Sequence, residues 1–94
     1  MNTLSVFLRT EREKQGLLLR QVASVLDIDQ GLLSRIERGE RKATREQIIS
    51  LAKLYSLNEA QLLTDWLSEK IINELKNEVL AETAIERALE KIRA

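Results

Sequence analysis

The 94-residue sequence has no cysteine, no histidine and no proline. Without cysteine there is no disulfide framework and no thiol chemistry. Without either residue the usual zinc-finger ligand sets are excluded, and without histidine so is the commonest general base at neutral pH. No apolar run approaches the roughly 18 residues needed to cross a bilayer, and Met-Asn-Thr-Leu-Ser leads straight into an amphipathic pattern with no cleavable leader, so a soluble protein of the reducing cytoplasm is expected. Glycine is scarce, at Gly16, Gly31 and Gly39 only. With so few breakers, a chain rich in Leu, Ala, Glu, Lys, Arg and Gln is expected to be all-α.

Charge balances at fifteen basic against fifteen acidic residues, but unevenly along the chain. Residues 1–53 hold ten Lys or Arg and seven Asp or Glu, whereas residues 54–94 hold five and eight. The first half is therefore the candidate surface for an anionic partner.

The periodicity predicts six helices. Thr3 can cap a first helix with Leu4, Phe7 and Leu8 on its apolar face, and Gly16 can supply a left-handed stop, with Leu17 folding back. A second, short helix carries Leu19, Val22, Ala23 and Leu26. Asp27-Ile28-Asp29 follows as a turn whose last residue can cap a third helix over 30–38, with Leu33 and Ile36 facing inward. After an exposed connection over 39–43, Thr44 and Gln47 match a capping box for a fourth helix with Ile48, Leu51, Ala52 and Tyr55 inward. Asn58 can cap a fifth helix carrying Leu62, Leu63, Trp66, Leu67, Ile71 and Leu75. A sixth is expected from about Glu78, with Leu80, Ala84, Ala88, Leu89 and Ile92.

Two short helices joined by a three-residue turn, with the small Ala23 at their crossing and Val22, Leu26, Ile28, Leu33 and Ile36 filling the wedge beneath, leave the outer face of the second helix free for a DNA major groove. The stretch from Leu8 to Leu57 resembles the helix-turn-helix domain of the Xre and lambda-type repressor family. The most specific segment is Leu32-Leu33-Ser34-Arg35-Ile36-Glu37-Arg38-Gly39. The resemblance implies a five-helix DNA-binding domain over residues 1–67, with residues 68–94 as an added helical extension.

The same resemblance implies a structural ion pair between Arg12 and Glu37, and base-reading positions at Gln30, Gly31, Ser34 and Arg35. Gln30 suits adenine and Arg35 suits guanine, Gly31 offers no side chain, and Leu32 is placed to meet a thymine methyl or a protein. Arg38, Arg41, Lys42 and Arg45 form a basic run around the connection. Such a run is ordinarily a solvated face, but beside a recognition helix it fits phosphate binding, with Arg20 and Lys14 as lesser candidates. The chain departs from the family where Leu18-Leu19 replaces a hydroxyl residue followed by glutamine, and where Asp27 replaces a turn glycine.

Leu57 to Leu67 can close the domain, with Trp66 as a core or interface anchor, but the apolar faces beyond Ile71 exceed what a five-helix unit needs. Leu63, Trp66, Leu67, Ile71 and Leu75 are therefore the expected dimer interface, with the sixth helix either joining it or folding back on its own subunit. The expected function is sequence-specific regulation of transcription, as a repressor bound to a palindromic operator as a homodimer; restriction-modification controllers and antitoxins fall within that reading. The competing class is a protein-interaction module that no longer binds DNA and engages a protein through Leu32 and the C-terminal helices. The carboxylates are scattered and no Gly-rich phosphate loop is present, so no enzyme, metal or cofactor is expected.

Overall fold

The computed structural model describes residues 3–94; Met1 and Asn2, which open the stretch expected to carry no leader, lie outside the described residues. It contains α1 (Leu4–Lys14), α2 (Leu19–Leu26), α3 (Gln30–Glu37), α4 (Arg45–Leu54), α5 (Glu59–Glu74) and α6 (Ala81–Arg93), with no strand among the described residues. None of these helices is long and apolar enough to cross a membrane.

Side chains set most of the helix starts. Thr3, Asp29, Thr44 and Asn58 each accept a hydrogen bond from the backbone N–H three residues on. At Thr44 the box is complete, because Gln47 Oε1 also accepts from the Thr44 N–H at 2.8 Å. The stops of α1 to α4 share one geometry. A residue in the left-handed region, at Gly16, Asp27, Gly39 and Ser56, is followed by an N–H that reaches back to a carbonyl five residues earlier. Asp27 thus fills the place of a turn glycine, at φ 55°.

Helices α1 to α5 close around one core built on Leu8, Val22, Leu33, Ile36, Ile48, Leu51, Tyr55 and Leu62. Ala23 is buried in the same cluster, where α2 crosses α3. Fastenings distant in sequence supplement the apolar packing. Gln15 donates to the Tyr55 carbonyl at 3.0 Å, tying the end of α1 to the end of α4. Glu69 of α5 accepts from the Leu4 N–H at 2.6 Å, setting a carboxylate against the positive end of α1.

The expected boundary at residue 67 falls inside α5, which runs unbroken to Glu74 and is anchored to α1 beyond that point by Glu69. The sixth helix begins at Ala81 rather than near Glu78. Asn77 turns into the left-handed region at φ 64°, the Glu78 N–H bonds back to Leu75, and the Glu78 carboxylate accepts from the Leu80 N–H at 2.7 Å. None of the α6 residues is buried, so this helix does not fold back to complete its own subunit's core. Accordingly the radius of gyration is 15.1 Å, against about 12 Å for a compact chain of this length.

Candidate nucleic-acid interface

The outer face of α3 is built by subtraction. Leu33, Ile36 and Glu37 are buried, which turns Gln30, Gly31 and Arg35 to the exterior with Ser34 half-buried between them. Leu32 is partly buried and packs against the core, so less of it is offered outward than expected. Gly31 has a local reason to lack a side chain. A Cβ there would lie 3.0 Å from Asp29 Oδ1, the oxygen that caps α3 through the Leu32 N–H at 2.8 Å.

Beneath this face the Arg12 guanidinium meets Glu37 through two parallel hydrogen bonds, Nε to Oε2 at 2.8 Å and Nη2 to Oε1 at 3.1 Å, while Nη1 donates to the Leu17 carbonyl at 2.9 Å. Arg12 is 9% exposed and Glu37 6%. The hydrogen bond to Glu37 raises the Arg12 pKa further above its ordinary value, outweighing the opposing effect of burial. The pair locks α1 to α3 and gives neither charge to a ligand. Tyr55 lies in the same electrostatic neighbourhood. Burial, followed by the Glu37 charge, pushes its phenol pKa up, and its hydroxyl has no hydrogen-bond partner among the described residues.

Of the basic run, Arg41, Lys42 and Arg45 are exposed at the connection and at the first residue of α4. Arg38 is also exposed, but its guanidinium is engaged by Glu40, Nε to Oε2 at 3.0 Å. Arg20 is exposed on α2, and Lys14 stands 3.9 Å from Glu11. The start of α2 lacks a side-chain cap: Gln21 Oε1 accepts from the Leu18 N–H at 2.8 Å, but Leu18 has no oxygen to complete the box.

Two residues assigned to a dimer surface belong instead to the protomer. Leu63 and Trp66 are buried in its own core and have little surface left for a partner, because α5 rolls that side onto α4. Leu67 and Ile71 are exposed and Leu75 is half-buried. Trp66 also has a role that local sequence patterns do not reveal. Its indole N–H donates to the Ala43 carbonyl at 2.8 Å, pinning the connection that carries Arg41 and Lys42. Lys70 lies over the same ring, 3.9 Å from its centroid, and lines one groove with Arg41 and Lys42. Lys70 and Trp66 are one helical turn apart, but the bond from Trp66 to Ala43 spans 23 residues, beyond the reach of helical periodicity.

A short helix, a three-residue turn and a second short helix with an open polar face form a helix-turn-helix unit. The family described as a helix-turn-helix domain matches residues 3–64. The chain belongs to that family. No curated protein matches the sequence. Among solved structures, this helix-turn-helix chain is similar to the clp gene regulator ClgR from Corynebacterium glutamicum, with a TM-score of 0.59 and 25% sequence identity over 93% of this chain and 86% of that one. The similarity therefore extends beyond the helix-turn-helix unit into the C-terminal helices.

Proposed function

We propose that the chain is a sequence-specific DNA-binding regulator of transcription, of the Xre type, that acts in the cytoplasm as a repressor on a palindromic operator bound by a homodimer. The observation that carries this reading is the outer face of α3, with Gln30 and Arg35 exposed and Ser34 half-buried, followed along the chain by the exposed Arg41, Lys42 and Arg45. A helix of this length presents one face to a major groove, and flanking cations neutralise phosphates on either side. The similarity to a gene regulator supports the same direction. In this reading Gln30 and Arg35 read base edges, Gly31 permits close approach, and the Arg12–Glu37 pair holds α3 at its angle to α1. The exposed Leu67 and Ile71, with Leu75, belong to the subunit contact. The chemistry is recognition, with no reaction, metal or cofactor.

Selection of bound sequences from a random DNA pool, with the mass of the protein measured in solution, tests the proposal. An inverted repeat whose half-site centres lie about 34 Å apart, or a multiple of that, recovered by a dimer, is the expected result. Absence of enrichment at low salt would replace it with the protein-interaction reading.

A further inference from the structure

Helix α6 has an apolar side with nothing on it. Its thirteen residues include none that is buried, and Ile92 is 79% exposed. A helix of this length is marginal in water by itself, because the cost of nucleation is recovered only over about 12 to 15 residues, and most helices in proteins draw their stability from a packed face. The face has a definite pattern. Ala81, Ile85, Ala88 and Ile92 recur at steps of four, three and four, the spacing of a two-helix seam, and alternate small with large.

That alternation selects an orientation. In an antiparallel pair centred between Glu86 and Arg87, Ala81 falls opposite Ile92 of the second copy and Ile85 opposite its Ala88, so that every isoleucine meets the space left by an alanine. A parallel pair would stack alanine on alanine and isoleucine on isoleucine. The charges agree with the antiparallel choice. Glu82 lies in the first turn of the helix and Lys91 and Arg93 in the last, so antiparallel pairing brings the acidic end of each helix to the basic end of the other, whereas parallel pairing sets like ends together. Leu89 adds apolar surface at the flank of the seam.

We infer that α6 is a self-pairing helix, whose occupant is α6 of a second copy in antiparallel register. The inference rests on the homodimer reading and adds α6 to the subunit contact that Leu67, Ile71 and Leu75 begin. Because α6 contributes nothing to the core, its pairing can be broken without unfolding the other five helices.

The test uses the full chain. Sedimentation equilibrium of the unaltered protein is expected to give a dimer, and Ile85→Lys, which sets two lysines into the seam, is expected to weaken it by roughly 100-fold or more while the thermal transition followed by Trp66 fluorescence stays in place. The absence of native cysteine makes the register directly readable under mild oxidation. The double variant Ala81→Cys/Ile92→Cys is expected to form a covalent dimer, whereas Ala81→Cys and Ile92→Cys alone are not. A monomeric unaltered protein overturns both this inference and the homodimer reading. A dimer that survives Ile85→Lys overturns the α6 assignment alone, and efficient crosslinking by either single variant overturns the antiparallel register.

Discussion

The indole N–H of Trp66 donates to the carbonyl of Ala43 across 2.8 Å, so the fifth helix holds the loop between the third and fourth. Ala43 is itself buried, and its carbonyl would be left without this partner if the ring nitrogen were removed. Trp66→Phe keeps the aromatic bulk and deletes the donor. The expected cost is about 1–3 kcal/mol of stability, the penalty of a buried unpaired acceptor. DNA affinity is expected to fall by a similar factor on all sequences, since Arg41 and Lys42 lose their fixed position. A binding titration on specific and random duplexes checks this; loss confined to the specific duplex would show that Trp66 does not act through the loop.

The two groups of polar side chains around α3 make separable predictions. Arg35→Ala is expected to cost about 1–3 kcal/mol at one base pair of the operator and to relax selection there, with the fold unchanged. Neutralising Arg41 and Lys42 together is expected instead to weaken every sequence alike and to flatten the dependence of affinity on salt, by about one unit of logarithmic slope for each lost contact. Unchanged selection by Arg35→Ala would remove it from the base-reading set.

The Arg12–Glu37 pair is desolvated on both sides, and its value lies in geometry more than in net energy. Glu37→Ala is expected to destabilise the protein by about 3–5 kcal/mol, because it strands a buried guanidinium. Arg12→Met with Glu37→Leu, which removes both charges and fills the space, is expected to recover most of that loss. Chemical denaturation of the four proteins measures the cycle, and a double variant as unstable as Glu37→Ala would show that the charges themselves hold the helices together.

Much of this arrangement is legible in the order of residues along the chain. The caps at Thr3, Asp29, Thr44 and Asn58 act over three residues, and the stop at Gly16 is equally local, so spacing announces them. What spacing does not announce is contact across the fold. Trp66 is a large apolar residue on a long helix, and nothing near it in sequence says whether its ring faces Ala43 or a second subunit. Glu69 reads as a surface charge until α5 is laid against the start of α1. The late start of α6 carries no such signal either, because Asn77 takes a left-handed conformation usually marked by glycine.

Tyr55 carries a buried hydroxyl with no partner among the described residues. Tyr55→Phe is therefore expected to be neutral or stabilising by up to about 1 kcal/mol at pH 7. The pH dependence has a definite sign. Burial raises the phenol pKa in the folded state above its unfolded value of about 10, so the contribution to stability is fully present below pH 10 and declines as the pH rises beyond it. The unaltered protein should lose stability more steeply than Tyr55→Phe above about pH 10. Parallel curves for the two proteins would mean that the hydroxyl reaches water in the folded state.

The bare start of α2 offers the last prediction. Leu18 has the extended backbone of a cap, at φ −84° and ψ 153°, is 50% exposed, and already uses its N–H to bind the Gln21 side chain. The Gln21 N–H now reaches only the Leu18 carbonyl, at 3.0 Å, and a hydroxyl at position 18 would share it and complete the reciprocal pair, adding up to about 1 kcal/mol of stability at small apolar cost. It would also stand at a helix N-terminus beside the recognition helix, where backbone amides and the helix dipole favour a phosphate. Leu18→Ser is thus expected to raise the melting temperature and to tighten binding to all duplexes without changing the selected sequence. If stability rises and affinity does not, the start of α2 lies away from the DNA backbone, and α3 enters the groove at a different angle from the one proposed.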